Sequence, residues 1–559
     1  MTTQCSISQV SDKILSRIFV HYYRDSPPRY HSRDLLVERA PILQVCRRWQ
    51  EVAYATPLLW RYINPFQAPQ LTSKIIASSQ DVPLHVMFHG CSASGTSNRE
   101  ALETVWAQSG RVRALQVSCD KPWIADIISS TALTSLRRLD GRNLSAKSTS
   151  LLFSENAPAL RIVKLLNCEL PALSASSPLV SRNITTLELS FIALSTGHHD
   201  TPISSSGEAP PMRQPPPIPD LFSLLAGLPM LRELALLDAL RHSKQGLLWL
   251  KDRLLGNETR ITFPQLHSLR LRDDMQLCLA FLETIKLPRT SVLKIQARLP
   301  RRHLDVTEHI SAWKDSIASS YDARNPIQTL VIRAPTPNLL RLVCSTDSES
   351  KGNVVIDDGW YKSACWDLTL FVDERRDGFA DELLRDAHMM LGFKDVKTLF
   401  LAVGNHIHED TWINLFNVLR KVEVLHLDPF RESDGPCEDF VPLALSMPCD
   451  DKVRKRVPFP ALRELHLHRG AKWSMWEMQS IANDLVARRP FIAVRLWKLV
   501  LHDSCTVGGK LYIAPIFHKI FLGLAPRVFC VHEQSSMVQD DIGEDHDIFC
   551  MPSTTPVGY

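Results

Sequence analysis

The sequence lacks the features that define several protein classes. Its 13 cysteines include no Cys-x-x-Cys pair, and the two closest, Cys437 and Cys449, lie 12 positions apart. A disulfide framework or a zinc ribbon needs tighter and more regular spacing. No apolar run reaches the roughly 18 residues of a membrane span. Residues 1–10 are polar and lack the basic and apolar regions of a secretory signal. The sequence therefore predicts reduced thiols and a location in the cytoplasm, the nucleus or both.

The chain also has little net charge and lacks common catalytic motifs. The 64 basic and 60 acidic residues give a net charge of +4 over 559 residues, which does not indicate a nucleic-acid partner. The chain contains no G-x-S-x-G, G-x-x-x-x-G-K-[ST], G-x-G-x-x-G or H-E-x-x-H motif. We therefore expect neither an enzyme nor a cofactor, and neither a nucleic-acid nor a membrane partner.

The densest group of possible metal ligands is His406, His408, Glu409 and Asp410. Oxygen and nitrogen donors of this kind suit a divalent ion. However, the group comes directly before a predicted helix that begins near Trp412, and acidic residues are favourable in a first helical turn. Helix capping explains these residues, so we predict no metal site. An enzyme built on this cluster is the weakest alternative.

Two short amphipathic helices are predicted near the amino terminus. The first follows Ser11-Asp12, a plausible N-cap, and the second begins at Pro41 and ends before Pro57. Two helices of this size cannot bury both of their apolar faces against each other. Either the rest of the chain or a partner protein must cover them. The two apolar stripes consist of Ile14, Leu15, Ile18, Phe19 and Tyr22, and of Ile42, Val45, Cys46, Trp49, Val52 and Ala53.

The run from residue 14 to residue 63 resembles the F-box, in the F-box-like form common in fungal proteins. The matching residues are Ile14-Leu15, Ile18-Phe19, Val45-Cys46, Trp49 and Pro57-Leu58-Leu59-Trp60. Val10-Ser11-Asp12 stands where the family has Leu-Pro and the residues after it. The resemblance implies binding to the Skp adaptor and, through it, to the cullin of an SCF-type ubiquitin ligase. The implied adaptor-binding residues are Ile14, Leu15, Ile18, Phe19, Val45, Trp49 and Trp60. In the alternative reading, the two helices dock on the following domain and recruit no ligase.

A short strand-like phrase, Leu-x-Leu or a close variant, recurs from about residue 111 onward. Alternating apolar residues after a turn signal are typical of strands. With Leu115, Leu139, Leu165 and Leu187 as markers, the first steps lie in the 20–29 range of leucine-rich repeats. Twelve copies are VRALQV, SLRRLD, ALRIVKLLNC, ITTLELS, LRELALL, LHSLRLR, IQTLVIR, WDLTLFV, VKTLFLA, VEVLHLD, LRELHLH and LWKLVLH.

This pattern resembles a degenerate leucine-rich repeat domain, and an ordinary α/β domain with parallel strands is the alternative. The resemblance implies an irregular α/β solenoid with parallel strands on its concave face and helices and loops on its convex face. Residues between the leucines are then expected to be exposed on the concave face. Arginine and histidine at these positions suit an acidic or phosphorylated target segment. The candidate target-binding residues are Arg270, Arg272, Arg333, His426, His466 and His468.

The predicted organisation has four parts. They are an F-box-like helical domain at 1–65, a connector at 66–110, the repeat domain at 111–533 and a poorly ordered tail at 534–559. A flexible Pro- and Ser-rich insert is expected at 195–220. The leading hypothesis is a substrate receptor of a ubiquitin ligase whose target protein is unknown. The alternative is a non-catalytic repeat scaffold whose F-box-like region packs internally.

Overall fold

A computed structural model of the chain shows two compact units, one of residues 1–273 and 280–288 and one of residues 274–279 and 289–559. The structure describes residues 10–25, 39, 41–65, 68–88, 97–118, 132–147, 149, 157–170, 183–191, 215–240, 244–255, 260–288, 291–299, 326–334, 336, 338–346, 366–372, 379–390, 393–403, 407–429, 459–468, 496, 498–502, 506–507, 510–511 and 527–531. The predicted tail at 534–559 lies outside these residues.

Helices and strands are interspersed along the chain. The α-helices are α1 (Asp12–Asp25), α2 (Arg47–Tyr54), α3 (Pro69–Ser79), α4 (Ser97–Trp106), α5 (Ile218–Ala226), α6 (Lys244–Leu255), α7 (Met275–Thr284), α8 (Phe379–Met390) and α9 (Glu409–Val418). Short 3₁₀ turns are Pro57–Trp60, Ser109–Arg111 and Phe393–Asp395.

The strands of the first unit form a parallel sheet in which β1 to β7 follow chain order and β9 pairs with β7. Two shorter strands, β8 and β10, pair in parallel with each other. The strands are β1 (Tyr62–Ile63), β2 (Leu84–Phe88), β3 (Val112–Val117), β4 (Arg138–Arg142), β5 (Ile162–Leu166), β6 (Thr186–Ser190), β7 (Glu233–Leu237), β8 (Ile261–Thr262), β9 (Ser268–Asp274) and β10 (Ile285–Lys286).

The strand register of the first unit gives a regular repeat. Leu115, Leu139, Val163 and Leu187 lie opposite one another, at intervals of 24 residues, and each is at most 1% exposed. The predicted marker Leu165 is opposite Gly141, whereas the residue opposite Leu139 is Val163. The marker is therefore wrong by two residues, which is one inward-facing position along the strand. The next inward position carries Gly141 because a Cβ there would lie 2.7 Å from Leu144 Cδ1.

The turns after β4, β5 and β7 share one backbone conformation. Asn143, Asn167 and Asp238 directly follow these strands and have φ values of 55°, 51° and 54°. Asparagine and aspartate adopt this left-handed conformation more easily than other residues with a side chain. The amide of Asn143 donates to the carbonyl of Leu166, and the amide of Asn167 donates to that of Ser190. The same turn therefore leads the chain out of three strands.

Residues 66–110 are not a connector. They contain α3, β2 and α4, and β2 is a strand of the sheet between β1 and β3. The phrase LHVMF in β2 has no second leucine, which is why the Leu-x-Leu pattern does not find it. Most of the predicted insert, residues 195–214, lies outside the described residues, and its last three residues, from Ile218 to Asp220, are the first turn of α5. Ile218 is 4% exposed and follows Pro217 at the N-cap.

The second unit has a mostly parallel sheet in the order β11-β14-β13-β12-β15-β16-β17-β18-β21. Strand β13 is antiparallel to both of its neighbours, and this reversal is absent from the predicted parallel pattern. The strands are β11 (Val292–Arg298), β12 (Thr329–Ala334), β13 (Leu339–Ser345), β14 (Trp366–Phe371), β15 (Thr398–Val403), β16 (Val424–Pro429), β17 (Glu464–Leu467), β18 (Lys498–His502), β19 (Thr506–Val507), β20 (Lys510–Leu511) and β21 (Arg527–Val531). Every one of the twelve predicted phrases contains a strand.

Candidate protein-interaction surfaces

The N-terminal helical segment, residues 10–60, has a well-packed inner side. Leu15 and Phe19 on α1 are each 1% exposed, and the ring of Phe19 lies 5.0 Å from that of Trp49 on α2. Arg48 on α2 forms an ion pair of 2.7 Å with Asp12 at the start of α1. These contacts fix α1 against α2 and use one of its two apolar flanks.

Trp60 belongs to the interior of this segment. Its ring is 1% exposed and stacks on Tyr54, with centroids 4.9 Å apart and an interplanar angle of 1°. Its Nε1 donates a hydrogen bond of 2.9 Å to the carbonyl oxygen of Ala53. The guanidinium carbon of Arg39 lies 4.8 Å from the ring centroid. Trp60 therefore acts as an internal support and presents no free ring face.

The other flank of α1 is exposed. Ile14, Ile18 and Tyr22 follow one another at every fourth residue, and each is exposed by half or slightly more. Val45 and Leu58 in the same segment are also exposed, at 54% and 45%. Of the seven large apolar side chains that are prominently exposed among the described residues, five lie in this segment. We call Ile14, Ile18, Tyr22, Val45 and Leu58 the apolar stripe.

The residues implied as adaptor contacts thus divide into two groups. Leu15, Phe19 and Trp60 are buried inside the segment, and Trp49 is partly buried. Ile14, Ile18 and Val45 are exposed. The implied set omits two further exposed residues, Tyr22 and Leu58. The helical spacing of Tyr22 from Ile14 is a sequence signal for the first of them.

The second predicted helix is interrupted. From Pro41 the helix continues only to residue 43 before a turn at residues 44 and 45. The next helix, α2, starts at Arg47 because Cys46 has an extended backbone, with φ of −164° and ψ of 167°. The expectation of one continuous helix from Pro41 is therefore wrong. The interruption leaves Val45 in a turn, where its side chain is exposed instead of packed on a helical face.

A row of aromatic rings crosses the face of the second sheet that is opposite the leucines. The ring of Phe400 stacks on His426 with centroids 3.6 Å apart, and His426 lies 4.1 Å from His466. His426 Nδ1 and His468 Nε2 are 3.0 Å apart, a separation that needs one N–H donor and one unprotonated acceptor. His468 is only 7% exposed. The prediction that His468 is exposed is wrong, because neighbouring rings pack over it.

Charges near these rings are paired. His466 Nε2 lies 3.4 Å from a carboxylate oxygen of Glu464, which also accepts from Lys498 Nζ at 3.3 Å. Burial lowers the pKa of His466, although the Glu464 carboxylate opposes this change. The hydrogen bond from His466 lowers the pKa of Glu464, and Lys498 adds to that effect. At neutral pH the group is therefore a neutral imidazole beside an ionised carboxylate and a lysine.

The predicted target-binding arginines are also engaged within the sheets. Arg272 pairs with Asp238 at 2.6 Å, and Asp238 is the left-handed residue that follows β7. Arg270 and Arg333 are partly buried on the same kind of strand face. The arginines and histidines chosen from the Leu-x-Leu pattern thus pack against neighbouring strands. Their strand positions were predictable, but their burial depends on which residues the register places beside them.

The metal-like cluster behaves as a helix start where it is described. α9 begins at Glu409 with His408 at its N-cap, and the amide of His408 donates to Asp381 Oδ1 at 2.8 Å. His406 lies outside the described residues. Within the described part of the chain, no group of three or more His, Cys, Asp or Glu residues has an arrangement that could hold a metal ion.

Comparison with known proteins leaves the chain without an assigned family. No protein-family model matches it, and no curated protein is significantly similar to it in sequence. Among the described residues, no helix combines the length and apolar character needed to cross a membrane. The two surfaces above therefore have to be interpreted from their own chemistry.

Proposed function

We propose that this chain is the substrate-recognition subunit of an SCF-type cullin ubiquitin ligase. Its N-terminal helical segment would be an F-box that binds the Skp adaptor, and its sheets would hold a target protein. The apolar stripe is the observation that carries this proposal. Ile14, Ile18 and Tyr22 form one exposed helix flank while the neighbouring flank, with Leu15 and Phe19, is already covered.

An exposed helix flank of this kind suits a helical partner. Apolar residues spaced three or four positions apart are the anchors used when one helix packs into another protein's groove. Complete burial of an isoleucine contributes roughly 1.5–3 kcal/mol before the costs of association. Because each stripe residue still exposes about half of its surface, its burial against a partner would contribute a fraction of that amount.

In this proposal the two sheets belong to an irregular leucine-rich-repeat solenoid. Two observations support it. The inward-facing residues from Leu115 to Leu187 repeat every 24 residues, and the left-handed turn residue recurs at Asn143 and Asn167. An interval of this length lies in the range of such repeats. The antiparallel strand β13 departs from the parallel pattern of such repeats, so the proposed solenoid is irregular at this strand.

The chain itself would perform no catalysis. Its contribution would be proximity, since holding a target near a recruited conjugating enzyme converts an encounter between two molecules into a reaction within one assembly. The complex would act in the cytoplasm, the nucleus or both, where its thiols stay reduced. No cofactor is needed for this role.

The second candidate function is a repeat scaffold that recruits no ligase. The burial of Leu15, Phe19 and Trp60 favours it, because these three residues already have internal partners. The absence of Leu-Pro before α1 also favours it. The two candidates differ in one measurable property, which is whether the apolar stripe binds the adaptor.

Capture of the full-length chain by a purified Skp-family adaptor tests the proposal. Ile14→Asp combined with Ile18→Asp places two charges on the stripe without touching the inner residues. We expect this variant to lose adaptor binding by more than about tenfold, since each buried charge replaces an apolar anchor. Leu248→Asp is the matched control, because Leu248 is also on a helix and is 58% exposed.

The outcomes separate the two candidates. Adaptor binding by the parent chain and by Leu248→Asp, but not by the double variant, supports the ligase proposal. Absence of adaptor binding by the parent chain supports the scaffold. Equal binding by the parent and the double variant contradicts the assigned surface. Leu15→Asp and Phe19→Asp are unsuitable here, because both side chains are buried and their replacement would unfold the segment.

A further inference from the structure

A row of basic residues crosses the first sheet at the end where its strands begin. Backbone hydrogen bonds join the row from strand to strand: the amide of Arg137 donates to the carbonyl of Arg113, Arg161 to Arg137, Thr185 to Arg161, Arg232 to Thr185 and His267 to Arg232. Their donor–acceptor distances are between 2.7 and 2.9 Å. Four of the six residues are arginines. We call Arg113, Arg137, Arg161 and Arg232 the basic edge.

The basic edge faces solvent and has no matching acid within the described part of the chain. Arg137, Arg161 and Arg232 are exposed, and Arg113 is partly buried. None of the four forms an ion pair with an acid of the described residues. The segments that carry the row contain no aspartate or glutamate; they are residues 109–114, 132–138, 157–162, 183–187, 228–232 and 260–268. Glu233 follows directly after Arg232 and accepts a hydrogen bond from Thr186 Oγ1 at 3.4 Å.

A partly buried histidine, His85, lies near one end of the row. His85 on β2 packs edge-on against Tyr62, with ring centroids 4.9 Å apart. Its pKa is lowered to about 4, first by burial and then by the positive charges of Arg61, Arg138 and Arg113.

The corresponding row of the second unit has a different composition. The same pattern of backbone hydrogen bonds joins Gln328, Lys397, Glu423 and Arg463. An acid lies between its two cations, and the neighbouring Lys421 pairs with Asp395 at 2.6 Å. A one-signed row is thus not a general result of the repeated strand pattern, and the second row offers a matched control.

We infer that the basic edge binds an extended acidic segment of a protein, with carboxylates or phosphates as the recognised groups. Adjacent strands are about 4.8 Å apart, so the four strand intervals from Arg113 to Arg232 span about 19 Å. About six residues of extended peptide cover that length at 3.3 Å each. Exposed guanidinium groups bind both carboxylate and phosphate oxygens through paired N–H donors.

A protein segment fits this row better than a nucleic acid. Single-stranded nucleic acids are usually bound by basic grooves that also supply aromatic rings for base stacking. The one ring of Phe, Tyr or Trp type in these segments is Phe263, which is 1% exposed. The description of this peptide as part of a ubiquitination target rests on the proposed function, whereas the binding itself does not.

The test uses the full-length chain and a fluorescein-labelled peptide of about eight residues that alternates glutamate and serine. A second peptide carries phosphoserine in place of glutamate, a third carries glutamine, and a single-stranded oligonucleotide of similar charge is the fourth probe. Fluorescence anisotropy gives the affinity of each at low salt. The variants are Arg137→Gln with Arg161→Gln and, as the matched control, Lys397→Gln with Arg463→Gln.

We expect the anionic peptides to bind and the glutamine peptide not to bind. The Arg137 and Arg161 substitutions should weaken binding by about three- to tenfold, because two exposed charge pairs are lost. The control variant should bind like the parent. The stronger anionic peptide identifies whether carboxylate or phosphate is preferred.

Three results would overturn the inference. They are binding of the glutamine peptide as tight as that of the anionic peptides, equal effects of the two double variants, and tighter binding of the oligonucleotide than of the anionic peptides. Adaptor capture by the Arg137 and Arg161 variant serves as a separate measurement. If this variant loses peptide binding but still captures the adaptor, then peptide binding at the basic edge and adaptor binding are independent. A failure of one proposal is then distinguishable from a failure of the other.

Discussion

Arg341 binds the carboxylate of Asp367 with two hydrogen bonds, from Nε at 3.0 Å and from Nη2 at 2.8 Å. The side chain of Asp367 is 3% exposed and that of Arg341 is 16% exposed. Arg341 lies on β13, the strand that runs against its neighbours, and Asp367 lies on β14 beside it. The pair therefore joins the reversed strand to the rest of its sheet.

Removal of one member of this pair should destabilise the second unit. Asp367→Asn leaves a largely buried guanidinium without its counter-charge, so we expect a loss of about 3–5 kcal/mol in the free energy of unfolding. Urea unfolding followed by circular dichroism measures it. Lys421→Ala breaks the more exposed pair with Asp395 and should cost less than about 1 kcal/mol. Equal losses in the two variants would contradict the role assigned to Arg341 and Asp367.

The left-handed turn after β4 gives a second stability prediction. Asn143 has a φ of 55°, and a β-branched side chain is strained in that conformation. Asn143→Val should lower the free energy of unfolding by about 1–2 kcal/mol, whereas Asn143→Gly should leave it nearly unchanged. Arg142→Val, one residue earlier in the strand, is the control. A loss in the glycine variant as large as in the valine variant would show that the side chain of Asn143, and not its backbone, is what matters.

Single substitutions in the apolar stripe and in the buried interior of the helical segment should have different effects on adaptor binding and on stability. Tyr22→Ala removes an exposed ring, so stability should change by less than about 0.5 kcal/mol while adaptor binding weakens. Trp60→Ala removes a buried stacked ring and should cost about 3–5 kcal/mol. Thermal unfolding and adaptor capture, measured together, check both. A large stability loss in Tyr22→Ala would place that ring in the fold and not on the proposed interface.

His85 should make the chain less stable in mild acid. Its folded-state pKa of about 4 lies below the ordinary 6.5, so the unfolded chain binds this proton first as the pH falls. The stabilisation is complete above pH 6.5 and is lost toward pH 4, with a total of about 3 kcal/mol at 1.36 kcal/mol per pKa unit. Urea unfolding at several pH values should show a steeper decline for the parent than for His85→Gln. Parallel curves would contradict the neutral, buried state of His85.

The sequence was sufficient to predict much of the strand pattern because leucine alternation depends on the chain's own neighbours. The phrase VRALQV became β3 without change, and each other phrase contains a strand. Strand β2 was not predicted because Val86 and Phe88 stand where the pattern after Leu84 needs a second leucine. The reversal at β13 was not predictable, since antiparallel pairing depends on which distant strands meet and not on the local period.

The candidate sites were predictable to a different degree. Helical spacing identified both flanks of α1, yet only packing decides that Leu15 and Phe19 face inward while Ile14 and Ile18 face outward. The histidines of β16 and β17 were expected to be exposed, but the register stacks His426 on Phe400 and places it 4.1 Å from the ring of His466. The arginines of the basic edge were visible in the sequence as residues near the starts of four strands. Their alignment in a single row required the pairing of strands far apart in the chain.

Only one residue, Arg61, separates the 3₁₀ turn Pro57–Trp60 from β1, and β1 pairs with β2 as part of the first sheet. A protein bound to α1 would consequently have a fixed orientation relative to β1 and β2, because no flexible linker lies between the helical segment and the sheet. In a ligase, such a geometry would decide which lysines of a captured molecule come within reach of the transferring enzyme. Lengthening that one-residue junction with glycines should broaden the choice of modified lysines without altering what is captured.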